Sequence, residues 1–170
     1  MWRIAGILGL LVCLGGVDGC GGESDPHPSE CEGVRSILEG SFTVENSDDV
    51  HRLACYTTIA GGLGISNNAA LTTIALPVLT TVGDDLDIDN NAALTAIALP
   101  VLATVSSDLY IQGNAALTAI DLPILTTVGD EVNIRDNPTL CQSIVNAIVA
   151  RLRANGWAGT PDIDGNLNGC

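Results

Sequence analysis

Residues 86–108 read LDIDNNAALTAIALPVLATVSSD, and the 23-residue stretches on either side, 63–85 and 109–131, align with them without a gap. All three share the pattern L-x-I-x-x-N-x-A-L-T-x-I-x-L-P-x-L-x-T-V. A fixed period in the twenties predicts a solenoid, because one coil cannot bury its own apolar side and does so only against its neighbours. The array runs past the clear copies. Val132-Asn133-Ile134, with Asn137 and Leu140, begins a partial coil over 132–140, and Phe42-Thr43-Val44 opens a degenerate coil over 42–62 with Val50, Leu53 and Ile59 at its later apolar positions. Five short parallel strands are therefore expected side by side, in a mainly β chain.

Alternation within each strand sends Leu and Ile inward and the intervening residues outward. Stacking turns each repeat position into a column: Phe42, Leu63, Leu86, Leu109 and Val132 form one internal ladder, and Val44, Ile65, Ile88, Ile111 and Ile134 a second. Pro77, Pro100 and Pro123 recur at one bend, where a missing N–H does least harm. Asn68, Asn91, Asn114 and Asn137 form a further column whose amides are suited to satisfying main-chain groups at a buried turn. Such ladders explain the composition, 46% hydrophobic with only two Trp, two Tyr and one Phe, since small aliphatic side chains stack in register where rings would not.

After Cys141 the period becomes helical. Ile144, Val145, Ile148, Val149 and Leu152 share one face, Arg151 and Arg153 suit the last turn, and Gly156 is placed to stop the helix. This predicts a capping helix within a cap of 141–170, covering the strand edge that would otherwise invite pairing. At the other end Val34, Ile37 and Leu38 predict a smaller cap.

The first residues read as an address. Arg3 precedes an apolar run from Ile4 to Val17, too short and too broken by glycine for a membrane span, so 1–19 is expected to be an export signal. Val17-Asp18-Gly19-Cys20 resembles a bacterial lipobox, with Cys20 as the lipidated residue, although Asp18 departs from the pattern. That implies an outer-membrane or cell-surface lipoprotein, with a secreted or periplasmic soluble protein as the alternative. Residues 20–30, with Pro26 and Pro28, read as a tether to a domain over 31–170. With Cys13 in the signal and Cys20 lipidated, Cys31, Cys55, Cys141 and Cys170 remain as an even set in an oxidising context. Four cysteines allow three pairings. Cys31 with Cys55 and Cys141 with Cys170 is the expected one, because each pair brackets one end of the array.

Twenty acids against six arginines and no lysine give a net charge of −14. With no basic patch to neutralise phosphates, nucleic acid is excluded as a partner. No catalytic constellation is evident, since His51 has no nucleophile placed with it, and a non-enzymatic role is expected.

The strand motifs Leu63-Gly-Ile-Ser-Asn-Asn and Leu86-Asp-Ile-Asp-Asn-Asn, each running into L-T-x-I-x-L-P-x-L, with Cys55 before the array and Asn137-Pro-Thr-Leu-Cys141 after it, resemble the receptor L domain family. That family is a leucine-rich-repeat-like, right-handed parallel β-helix found in receptor ectodomains and bacterial lipoproteins. The resemblance covers Cys31 to Cys170 and implies a binding or adhesion module, with no catalytic residue to carry over.

Two surfaces are candidates. The outward strand columns place Asp87, Tyr110 and Asn133 beside Asp89, Gln112 and Arg135, a polar face with one aromatic ring suited to a protein or glycan at the cell surface. Asp85, Asp108 and Glu131 share a repeat position and should stack about 4.8 Å apart, with Asp84 and Asp130 nearby. Either these carboxylates splay into solvent or a hard cation such as Ca²⁺ bridges them; no other cofactor is expected. Two readings compete with binding: a purely structural envelope protein, and a small polysaccharide-active β-helix enzyme using clustered carboxylates.

Overall fold

The computed structural model describes residues 35–170. The signal over 1–19, Cys20, the tether and Cys31 lie outside the described residues. Each full coil makes three strands and three turns, and like strands of successive coils pair in parallel. One five-stranded sheet carries β2 (Phe42–Val44), β4 (Leu63–Ser66), β7 (Leu86–Asp89), β10 (Leu109–Gln112) and β13 (Val132–Arg135). A second has β1 (Arg35–Leu38), β3 (Tyr56–Ile59), β6 (Thr81–Val82), β9 (Thr104–Val105) and β12 (Thr127–Val128). The third has three strands, β5 (Thr73–Ala75), β8 (Ala96–Ala98) and β11 (Ala119–Asp121).

Register follows the repeat, with Leu63 opposite Leu86, Leu86 opposite Leu109 and Leu109 opposite Val132. The predicted ladders are the core: Ile65, Ile88, Ile111 and Ile134 are each 0% exposed. Ile74, Ile97 and Ile120, then Leu79, Leu102 and Leu125, continue it around the other two sides. Phe42 is only partly buried, at the end of its column.

The turns are chemically explained. Leu102 N–H donates to Leu99 O at 3.2 Å across Pro100, which sits at the second turn position, where its fixed φ fits. Leu94 N–H donates to Asn91 O at 3.1 Å around the alanine corner. The residue before each ladder asparagine is left-handed, with φ of 60° at Asn67, 54° at Asn90, 67° at Gly113 and 53° at Asp136. Asn, Asp and Gly are the residues that tolerate this conformation, which is why that column alternates among them.

The asparagine column is buried and continuous. Asn114 Nδ2 donates to Ile88 O at 2.9 Å, while its Oδ1 accepts from Asn91 N at 3.0 Å. Asn137 repeats this with Ile111 O and Asn114 N.

Both ends depart from the regular repeat. In the degenerate coil Val50 and Leu53 are buried as predicted, and they lie in a helix, α1 (Ser47–Leu53). Asn46 caps it, accepting from Asp48 N and Asp49 N, and the two aspartates favour the positive end of the helix dipole. At the position of the predicted small cap lies strand β1, on the edge of the second sheet, with Ile37 52% exposed; Val34 lies outside the described residues. At the C-terminal end α2 (Gln142–Ala154) buries Val145, Ile148, Val149 and Leu152, as its periodicity requires, and Arg151 Nη1 donates to Leu122 O. The edge of the five-stranded sheet ending in β13, however, is covered by the tail and not by the helix. Asp162 bridges in parallel to Asn133, Ile134 N–H donates to Asp162 O at 2.9 Å, and Asp136 N–H to Asp164 O at 2.9 Å. Asn166 then extends the asparagine column by one member, accepting from Asn137 N at 3.2 Å. Cys141 is bonded to Cys170, as expected. Cys55 is also a disulfide cysteine.

Candidate functional site

The outward face of the five-stranded sheet assembles the predicted columns in register. Asp87 stands opposite Gly64 and Tyr110, and Tyr110 opposite Asn133; one row on, Asp89 lies between Ser66 and Gln112, and Gln112 faces Arg135. Polar contacts across the face are extensive. Ser66 Oγ donates to Asp89, Asn90 Nδ2 donates to Asp89 Oδ2 at 2.7 Å, and Arg135 Nε reaches Gln112 Oε1 at 3.2 Å. Arg135 is further held by Asp162 at 3.3 Å and Asp136 at 3.5 Å, so much of its charge is compensated within the chain.

Asp87 is different. Its Oδ1 is buried and, among the described residues, is the one such side-chain oxygen or nitrogen without a hydrogen-bond partner. Burial, then the charge of Asp89, a hydrogen bond to it and the charge of Asp85, raise the Asp87 carboxyl above its usual range. A raised pKa in the folded state favours the protonated form, so any stabilisation is fullest below pH about 4 and is lost as pH rises through the raised value. Asp87→Asn should therefore raise the melting temperature at pH 7, by no more than about 1 kcal/mol equivalent for so accessible a group. The gain should shrink below pH 4. Thermal melts of both proteins at pH 3.5 and 7 check this, and a gain that grows on acidification would contradict it.

The acidic seam is hydrogen-bonded within the chain. Asp85 Oδ1 accepts from Asp108 N at 3.1 Å, and Asp108 Oδ1 accepts from Glu131 N at 2.7 Å, so these two carboxylates bond the main chain of the next coil, while Glu131 Oε2 accepts from Asn133 Nδ2 at 3.3 Å. Interleaved amide dipoles relieve the repulsion that stacking alone would create. Tyr110 completes the seam. Its hydroxyl donates to Asp108 Oδ2 at 3.0 Å, with Glu131 Oε2 3.3 Å away. Burial and these two carboxylates push the phenol up to about 12. Among the described residues no group of three or more His, Cys, Asp or Glu is arranged to hold a metal ion. Melting in excess EDTA and in millimolar Ca²⁺ tests the cation: an unchanged midpoint would argue against it, and a Ca²⁺-dependent rise abolished by Asp85→Asn would make the seam a cation site.

Beside the seam runs an open groove of about 910 Å³, lined by Asp108, Tyr110, Asp130, Glu131, Asn155 and Trp157 among others. Sequence reasoning placed Trp157 in the cap alone. Its indole Nε1 donates to Asp130 O at 2.9 Å, which fixes the ring along the corner formed by the last full coil. Gly159 lies so close that a Cβ there would come within 2.5 Å of the ring.

No helix among the described residues is long and apolar enough to cross a membrane. No family model matches the chain, and no curated protein is significantly similar to it.

Proposed function

We propose that this chain is an exported, lipid-anchored, non-enzymatic binding module of receptor-L-domain type, which recognises a protein or glycan at the cell surface through the outward face of its five-stranded sheet. The observation that carries the reading is Asp87 Oδ1, a buried acceptor left without a donor on an otherwise hydrogen-bonded face. Unpaired buried acceptors are costly and uncommon, and rotation of the Asp87 side chain toward a ligand hydroxyl, amide or ammonium would supply the missing donor. Tyr110 on the next strand offers an aromatic edge, Asp89 and Gln112 lie one row on, and Asn133 stands beyond Tyr110, two strands from Asp87.

A glycan-array and envelope-protein binding screen with the chain, repeated with Asp87→Leu and Tyr110→Ala, tests the face. Loss of at least tenfold in affinity in either variant, with circular dichroism unchanged, supports it; binding indifferent to both substitutions defeats it, and a silent screen favours a purely structural envelope protein. Metabolic palmitate labelling abolished by Cys20→Ala supports the anchor, whereas labelling that persists removes it. Asp87 and Asp89 also place two carboxyls on one outward strand face, which is the feature the polysaccharide-active reading would use. Polysaccharide hydrolysis lost in Asp87→Asn would favour that alternative.

A further inference from the structure

The groove beside the seam has a chemistry of its own. Its carboxylates, Asp108, Asp130 and Glu131, take part in none of the ion pairs found among the described residues, and no basic side chain lines it. Two aromatic rings line it as well, and both are fixed by their polar atoms, Tyr110 by the hydroxyl on Asp108 and Trp157 by the indole N–H on Asp130 O. Because those polar atoms are spent within the protein, what the rings offer a visitor is their apolar surface. An aromatic surface attracts cations electrostatically, tryptophan most strongly, and also covers an aliphatic stem.

We infer that the groove between Tyr110 and Trp157 binds a cationic side chain, lysine or arginine, presented by a basic polypeptide partner. The inference rests on the reading of the chain as a binding module and assigns it a second contact, at the corner of the solenoid, which shares Tyr110 with the sheet face. A hard metal ion fits less well. Asp108 has one oxygen on Glu131 N and the other on Tyr110, which leaves little of the oxygen-only shell that Ca²⁺ requires. An alkyl ammonium or guanidinium needs only charge compensation and an apolar wall, and the groove supplies both. Four of the described arginines are engaged elsewhere, Arg135 by Asp136 and Asp162, Arg52 by Asp49, Arg151 by the Leu122 carbonyl and Arg35 by the Tyr56 hydroxyl, and Arg153 is not among the residues that line the groove.

The test is calorimetric titration of the full chain with a tetralysine peptide, with the same peptide acetylated at every lysine Nζ, and with chitotetraose. Tetralysine should bind and its acetylated form should not. Asp130→Asn/Glu131→Gln should weaken tetralysine at least tenfold, the scale of one charge-assisted contact. Glu39→Gln/Asp121→Asn changes net charge by the same amount at residues outside the groove and should weaken it less than twofold. Trp157→Leu should weaken it as well. Equal weakening by the two double variants would mean a diffuse acidic field and overturn the site, as would tetralysine silence, binding of the acetylated peptide, or binding of chitotetraose in its place. Asp87→Asn separates the two surfaces: tetralysine binding that survives it, alongside a silent envelope screen, would leave the groove standing and the sheet face without support. Tetralysine binding lost in Asp87→Asn but kept in the groove variant would overturn the groove.

Discussion

Asn114→Leu should lower the free energy of unfolding by about 4 kcal/mol, read as a shift in the urea midpoint at constant slope. The side chain is fully buried and serves both neighbouring coils. Removing it strips the acceptor from Asn91 N–H and the donor from Ile88 O, two buried main-chain groups that no water reaches, at about 1 to 3 kcal/mol each. Leucine fills much of the same volume, so the loss reports unsatisfied polar groups rather than a cavity. Asn68 supplies the internal comparison. It donates to Val44 O and Ser66 O, but no main-chain N–H among the described residues is bonded to its Oδ1, so Asn68→Leu should cost about half as much. Equal costs at the two positions, or a cost below about 1 kcal/mol at Asn114, would refute the ladder as a source of stability.

Deleting residues 161–170 should have a comparable or larger effect and a different signature. The deletion removes the disulfide between Cys141 and Cys170, worth roughly 3 to 4 kcal/mol for a closed loop of this length on the chain-entropy estimate. It also strips β13 of the bonds from Ile134 N–H, Asp136 N–H and Val132 O to the tail. An unprotected strand edge templates association, so the truncated chain should dimerise or aggregate at micromolar concentration. A Cys141→Ala/Cys170→Ala chain keeps the tail rung and should lose stability while remaining monomeric. Light scattering after size-exclusion chromatography distinguishes the two, and a monomeric truncation no less stable than the cysteine variant would show that the rung contributes nothing.

The repeat made the middle of the molecule legible, since each apolar position in the 23-residue period is one column of the core and each proline one turn. The ends were harder because the repeat decays there. Asp162-Ile163-Asp164-Gly165-Asn166 keeps the x-I-x-x-N of a strand opening but lacks its leucine and follows a helix, so nothing in its periodicity joins it to β13. The hydrogen bonds from β13 decide it. Asn46-Ser-Asp-Asp carries an ordinary helix-start signal, yet Val50 and Leu53 fall on apolar positions whether that stretch is strand or helix, so spacing alone did not distinguish them. The outward sheet columns were readable residue by residue. The groove was not, because it pairs Tyr110 with a tryptophan 47 residues later, brought to the seam by a single indole bond to Asp130. Likewise, the seam carboxylates were legible as a stack, but Asp85 and Asp108 accept from main-chain amides, which side-chain patterns do not reveal.

The asparagine ladder also gives the stack a polarity. In every row from Asn68 to Asn137 the main-chain N–H is satisfied by the Oδ1 of the asparagine on its C-terminal side, while Nδ2 reaches a carbonyl on its N-terminal side. Peeling a coil from the C-terminal end therefore orphans a buried N–H in the coil beneath. Peeling one from the N-terminal end costs the next asparagine one acceptor, and Asn114 and Asn137 hold a second within their own coil, at Gln112 O and Arg135 O. The two ends of the solenoid are thus unequal in what they demand of a terminator: Asn166 closes the demanding one, and opening of the native stack should start from the other.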